Sequence, residues 1–173
     1  MAKYISTKTY GNEQGLSCCF RQWRSTHSHC SLLHGYSIGV RAQFESETLD
    51  DRNWVMDFGG LKAFKAWLEY MFDHTLVIAE DDPYLDVFKG MAAYGLQDQG
   101  GMCDLRIVPA VGCEKFSEMA FNELTNIIKT FQSGQSYTVN GKTFECRYPV
   151  GQGVSVRSVE VFEHGANSAI YKR

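Results

Sequence analysis

Chemically reactive side chains are concentrated between residues 27 and 36 of this chain. The stretch HSHCSLLHGY holds three of the five histidines and one of the six cysteines. Imidazole and thiolate groups bind zinc and transfer protons near neutral pH. His34 and Tyr36 have the same parity in the strand that residues 36–44 predict, so their side chains leave one face of it. The sequence therefore predicts a reactive loop that leads into a strand.

The elements that position this loop follow from the periodicity of the apolar residues. Alternation with period two predicts strands, and recurrence every three to four residues predicts amphipathic helices. An Asn-Gly pair between alternating residues predicts a tight hairpin. In chain order, the predicted elements are strands 15–23 and 36–44, helices 61–72 (capped by Asp57) and 116–131, the hairpin 137–144, and strands 154–156, 159–163 and 169–171. Between the helices, residues 78–112 are long and only partly patterned.

The composition predicts one soluble domain over residues 1–173. The chain is 44% hydrophobic and 21% charged, and its net charge is −3 with a pI of about 5.9. Such a chain lacks the basic patch of a nucleic-acid-binding protein, so we expect no nucleic-acid and no membrane partner. The start of the sequence has no apolar leader segment and no run of eighteen apolar residues occurs, so we expect a cytoplasmic protein with reduced cysteines.

Four short motifs resemble the 6-pyruvoyl-tetrahydropterin synthase and 6-carboxytetrahydropterin synthase family. They are Cys30-x-x-x-His34-Gly35-Tyr36, WVMDFGGLK at 54–62, Asp73-His74, and Val159-x-Val161-x-Glu163. The resemblance runs from about residue 15 to residue 171. It implies an α+β tunnelling fold, in which a ββααββ subunit with an antiparallel sheet and two helices on one face closes into a barrel by oligomerisation. We expect a homo-oligomer, a trimer or hexamer, with insertions near 80–112 and 134–150.

The resemblance also implies an activity, that of a lyase acting on a pterin. The substrate would be 7,8-dihydroneopterin triphosphate, and the product a 6-carboxy- or 6-pyruvoyl-tetrahydropterin for pterin or queuosine and deazapurine synthesis. By position, Cys30 would be the proton-transfer base, Asp73 and His74 its assisting pair, and Glu163 the pterin anchor. A carboxylate accepts two parallel hydrogen bonds from an aminopyrimidinone edge, which suits the last assignment. The sequence leaves the choice of product open.

The family's zinc ion, which three histidines hold, is the point at which this chain departs from the resemblance. Phe20 and Tyr36 stand at two of the three histidine positions, and only His34 remains. Catalytic zinc usually needs three protein ligands. In one interpretation the metal persists on His34 with His29 or nearby donors as substitutes. In the other the zinc is lost.

The sequence is therefore compatible with three functional hypotheses. The first is the pterin lyase with Cys30 as base. The second is a pterin- or purine-binding protein that has lost zinc-dependent catalysis. The third is a tunnelling-fold oligomer that binds a partner and has no affinity for pterins.

Overall fold

The computed structural model describes residues 2–93 and 101–173 of the chain. Its helices are α1 (Lys62–Phe72), α2 (Leu85–Met91) and α3 (Cys113–Gln132). Its strands are β1 (Tyr4–Tyr10), β2 (Ser17–Phe20), β3 (His34–Ser37), β4 (Gly39–Ser46), β5 (Thr75–Ala79), β6 (Ala92–Ala93), β7 (Cys103–Val108), β8 (Tyr137–Val139), β9 (Lys142–Phe144), β10 (Ser155–His164) and β11 (Asn167–Lys172). Part of the predicted insertion at 80–112, residues 94–100, lies outside the described residues. None of the described helices has the length and apolar character needed to cross a membrane.

The larger apolar core lies between an antiparallel sheet and α3. The sheet has the strand order β1-β4-β10-β11, and neighbouring strands are antiparallel throughout. Alternate residues of β4 and β10 point inward, as the sequence predicted. They meet the apolar face of α3, whose fully or nearly fully buried members are Phe116, Ala120, Leu124, Ile127, Ile128 and Phe131. The α+β fold class and this helix are confirmed.

A second sheet accounts for chain segments that the sequence patterns predicted poorly. Its order is β3-β2-β5-β7-β6, with β2 and β3 antiparallel and β2, β5, β7 and β6 parallel. Every residue of β5 is buried, so this strand has no period-two pattern. The region after residue 78, predicted to be a partly patterned connection, in fact contains α2 and β7. β1 was also missed, because it is an edge strand with mostly exposed residues.

The two sheets are joined where β3 continues into β4. The chain bends after Ser37 and passes from the second sheet into the first. Gly39 opens β4, and a Cβ atom built there would lie 2.3 Å from the Phe162 ring, so only glycine fits without a shift. The hairpin β8–β9 turns at Asn140 and Gly141, whose φ values of 47° and 71° confirm the predicted Asn-Gly turn.

Candidate functional site

Glu163 lies at the end of β10, where the strand pairing becomes irregular. The register between β10 and β11 shifts between Phe162 and His164, which takes Glu163 out of the regular ladder. Its side chain is half-buried, in line with the fully buried Val159 and Val161 on the same strand. The predicted pterin anchor is therefore a carboxylate at the rim of the core, where a ligand can reach it.

The Glu163 carboxylate has a thiol as its neighbour. Cys113, the first residue of α3, donates from Sγ to Glu163 Oε1 over 3.8 Å. Burial, then the negative charge of Glu163, raises the pKa of Cys113 to about 12, so the thiol stays protonated and acts as a donor. Asn12 Nδ2 donates to the Glu163 carbonyl over 3.1 Å. Both groups that bond Glu163, the Cys113 thiol and the Asn12 amide, are therefore uncharged.

An aromatic stack lies next to this carboxylate. The Phe20 and Tyr36 rings are nearly parallel, with centroids 3.8 Å apart, and the His34 ring is tilted against Tyr36 at 4.5 Å. The antiparallel pairing of β2 and β3 explains the cluster, because it places Phe20 opposite His34. Burial, followed by the charges of Glu163 and Cys30, raises the pKa of Tyr36 above its usual range. The Asn12 amide nitrogen donates to the carbonyls of both Ser37 and Glu163, so the end of β3 lies beside Glu163.

Cys30 lies in a short 3₁₀ turn, His29–Ser31, that is bonded to the chain just past β2. Ser28 caps the turn, and its Oγ accepts a hydrogen bond from Cys30 N at 3.2 Å. The Cys30 carbonyl accepts one from Gln22 N at 2.7 Å. The thiol is half-buried. The predicted base is thus on a short, hydrogen-bonded turn rather than on a free loop.

A buried ion pair that sequence reasoning missed supports this turn. Arg21 reaches Asp82 with two parallel contacts, Nε to Oδ2 at 2.8 Å and Nη2 to Oδ1 at 3.1 Å. The Asp82 side chain has no exposed surface. Arg21 Nη1 also donates to the carbonyl of Ser31, at 3.4 Å. The pair therefore ties the Cys30 turn to the segment after β5.

Asp73 and His74 form a pair, but within one chain they lie at the opposite end of β2 from Cys30. His74 Nδ1 is 2.6 Å from Asp73 Oδ1, and the His74 side chain is 89% exposed. His74 N donates to Ser17 O at the start of β2, whereas the Cys30 turn is bonded to Gln22. Five residues of extended chain separate the two ends, on the order of 15 Å. The single chain does not bring the pair to the thiol.

The comparisons with known proteins decide the family. A family model described as 6-pyruvoyl tetrahydropterin synthase matches residues 11–173. The chain belongs to this family. A search of curated protein sequences gives no match.

Solved structures agree with this family at the level of the fold. An uncharacterized protein from Wolinella succinogenes has a TM-score of 0.71 at 19% identity, covering 100% of this chain and 99% of that one. A variant of 6-pyruvoyltetrahydropterin synthase from Plasmodium vivax has a TM-score of 0.61 at 14% identity, with the same coverage. The Caenorhabditis elegans 6-pyruvoyl tetrahydropterin synthase has a TM-score of 0.52 at 15% identity, covering 99% of this chain and 95% of that one. At these identities the likeness shows the fold alone.

The family resemblance implies a zinc ion held by three histidines, and the residues of this chain do not fit such a site. Phe20 and Tyr36, at two of the expected ligand positions, are packed ring against ring. His29 is exposed on its turn. His34 Nδ1 is 2.8 Å from the carbonyl oxygen of Leu32, which leaves Nε2 as the one ring nitrogen of His34 that could bind a metal. In residues 2–93 and 101–173, no three His, Cys, Asp or Glu side chains converge as metal ligands. The residues present therefore do not fit the three-histidine zinc site that the family resemblance implies.

Proposed function

We propose that this chain binds a pterin through Glu163 and converts 7,8-dihydroneopterin triphosphate to a 6-carboxy- or 6-pyruvoyl-tetrahydropterin. Membership of the 6-pyruvoyl tetrahydropterin synthase family supports a pterin ligand. The observation that carries the proposal is the half-buried Glu163 carboxylate, whose partner is a neutral thiol. A carboxylate in this position is stabilised when a ligand supplies donors.

A carboxylate such as that of Glu163 can bind an aminopyrimidinone edge through both of its oxygens. A pterin presents a ring N–H and an adjacent amino group, which donate in parallel to the two oxygens of one carboxylate. The Cys113 thiol contacts Oε1 from the side of α3. Asn12 bonds the Glu163 backbone to the turn after β1, so the strand end is fixed before the ligand binds. The fold therefore preorganises the carboxylate for recognition.

Cys30 supplies the proton-transfer group in this proposal. Its thiolate would take a proton from the substrate side chain and become a thiol, on a turn held by Gln22 and Arg21. Asp73 and His74 form a second proton-transfer pair, because the carboxylate fixes the imidazole tautomer. Since the pair is remote from Cys30 in one chain, the proposal includes a homo-oligomer in which a second copy brings it to the thiol.

The open edges of the first sheet support such an assembly. β1 and β11 are its outer strands, and each has only one neighbour among the described strands. Unpaired strand edges are usually covered or joined to another chain. Edge pairing between copies would continue the sheet, as in the barrel that the family resemblance implies. We therefore propose a trimer or hexamer.

A second candidate function is pterin or purine binding without turnover. The observation in its favour is the packing of Phe20 on Tyr36 at two expected zinc-ligand positions. In this case Glu163 still binds the ligand, but Cys30 has no catalytic part.

The experiment incubates the purified protein with 7,8-dihydroneopterin triphosphate and follows products by mass spectrometry. The lyase proposal predicts turnover that Cys30→Ala abolishes while neopterin binding is retained. The control is Cys103→Ala, which removes a half-buried thiol from β7 in the second sheet. Turnover that survives in Cys30→Ala contradicts the role of this thiol. Binding without any turnover by the unchanged protein supports the second candidate instead.

A further inference from the structure

The three positions expected to carry zinc ligands still converge in this chain. Phe20 and His34 are direct partners across β2 and β3, and Tyr36 leaves the same face two residues after His34. The Tyr36 ring lies within 3.8 Å of the Phe20 ring and 4.5 Å of the His34 ring, centroid to centroid. The backbone arrangement of a three-ligand site is therefore present, and only the side chains differ.

The side chains at these positions fill the space between them. Rings whose centroids are 3.8 Å apart and whose planes differ by 12° are in van der Waals contact. Phe20 is only 1% exposed, and its edge packs against Phe116 with centroids 5.0 Å apart. A metal ion between positions 20 and 36 would require this stack to separate. The packing thus excludes an ion where the two missing ligands would have met.

Nearby donors do not replace the missing ligands. His29 is exposed on the turn, and Cys30 is anchored through its backbone to Gln22 and Ser28. Throughout the described ranges, His, Cys, Asp and Glu side chains form no cluster of three suited to a metal ion. A single remaining imidazole, that of His34, does not hold zinc by itself.

We infer that this chain works without zinc, and that the Tyr36 hydroxyl contacts the ligand where the metal would have done so. Asn12 bonds the carbonyls of Glu163 and of Ser37, the residue after Tyr36, so Tyr36 lies near Glu163. The Cys30 turn is bonded to Gln22, two residues after the Phe20 ring that stacks on Tyr36. Its hydroxyl makes no hydrogen bond to another described residue, although the ring is half-buried. A phenol is protonated at neutral pH, so it donates one hydrogen bond to a hydroxyl or carbonyl oxygen of the pterin side chain.

The first test measures zinc in protein purified without chelators and without a metal-affinity tag. We expect far less than one zinc ion per chain by elemental mass spectrometry. The double variant F20H/Y36H restores imidazoles at both positions beside His34, and we expect it to gain about one zinc ion per chain. The control F20L/Y36L removes the ring stack without adding donors, and we expect it to gain none.

The zinc content of the unchanged protein is the main test of the metal part of the inference. About one zinc ion per chain, lost in His34→Ala, overturns it, even if the double variant does not fold. Cobalt replacement with visible absorption in F20H/Y36H, but not in the unchanged protein, supports it. Zinc is measured without a pterin, so this result is independent of the test of the proposed function.

The second test concerns the Tyr36 hydroxyl, and this part rests on the proposed pterin site. Tyr36→Phe keeps the ring stack and removes only the oxygen, so we expect neopterin affinity to fall about tenfold. The control Tyr137→Phe removes a hydroxyl that bonds Glu123 outside the site, and we expect unchanged affinity. Equal affinities of Tyr36→Phe and the unchanged protein would overturn the role of the hydroxyl. Loss of binding in Glu163→Gln, measured in parallel, shows that the unchanged protein binds neopterin at the proposed site.

Discussion

Asp82 and Asp81 are adjacent carboxylates that we expect to differ strongly in their importance for stability. Asp82 is fully buried and forms two hydrogen bonds with Arg21, at 2.8 and 3.1 Å. Its Oδ1 also accepts a hydrogen bond from Tyr84 N at 2.9 Å. Asp81 bonds Arg24 at 2.7 Å, but both of these side chains are largely exposed. The perturbation is Asp82→Ala, with Asp81→Ala as its control.

The magnitude follows from what Asp82→Ala leaves behind. Removing one partner of a buried ion pair costs about 3–5 kcal/mol, because the other charge loses its compensation. Arg21 keeps 16% side-chain exposure and a contact with the Ser31 carbonyl, so water reaches part of its guanidinium. We therefore expect a loss of about 3 kcal/mol in the free energy of unfolding. For a chain of this size that corresponds to a fall in Tm of about 6–12 °C.

The assay is urea unfolding followed by fluorescence, with thermal unfolding as a second readout. Asp82→Ala should shift the unfolding midpoint, whereas Asp81→Ala should leave it nearly unchanged, because exposed ion pairs contribute little. Asp82→Asn keeps the acceptor for Tyr84 N and should lose less than the alanine variant. Equal midpoints for the two alanine variants would refute the reasoning that burial, rather than the ion pair itself, sets the importance of Asp82.

Three further predictions test the packing, the electrostatics and the assembly. Gly39→Ala should lower the free energy of unfolding, measured by urea unfolding, by about 1–3 kcal/mol, since its Cβ would lie 2.3 Å from the Phe162 ring. The control Gly35→Ala should not, because a Cβ there meets nothing within 4 Å. Burial raises the pKa of Cys113 to about 12, so the protonated thiol contributes to stability below the ordinary thiol pKa, and this contribution is lost as the pH rises toward 12. Cys113→Ser should therefore show a smaller loss of the free energy of unfolding at alkaline pH, measured by urea unfolding. Cys30→Ala and His74→Ala should each be inactive. If the site is shared between copies, refolding the two variants together should restore part of the turnover. Mixed oligomers without any recovered turnover would contradict that assembly.

Local periodicity was sufficient to predict the elements with one buried face. The apolar stripe of α3, the alternation in β10 and the Asn140-Gly141 turn are all present in the structure. β5 was missed because all five of its residues are buried, so neither helical nor strand periodicity marks it. β1 was missed for the opposite reason, since an exposed edge strand lacks an apolar pattern.

Sequence patterns predicted the position of single residues in the fold, but not contacts between residues that are distant in the sequence. The half-buried position of Glu163 follows from its parity with two buried valines, whereas its role as pterin anchor comes from the family resemblance and stays a prediction. The contact between Cys113 and Glu163 joins residues 50 positions apart, and Arg21 bonds Asp82 across 61 positions. Spacing rules describe neighbours along one element, so they carry no information on such contacts. The family resemblance indicated that Phe20 and Tyr36 stand at two expected zinc-ligand positions, but only the structure shows their rings stacked.

Pterin binding through Glu163 is the central claim, and a calorimetric titration with neopterin tests it most directly. Glu163→Gln keeps the shape of the side chain but loses the charge and one acceptor, and we expect its affinity to fall at least about tenfold. The matched control is Glu160→Gln on the same strand, where the carboxylate pairs with Arg41 at 2.9 Å on the other face of the sheet. Full binding by Glu160→Gln and lost binding by Glu163→Gln is the predicted result. Equal affinity of Glu163→Gln and the unchanged protein would contradict the account.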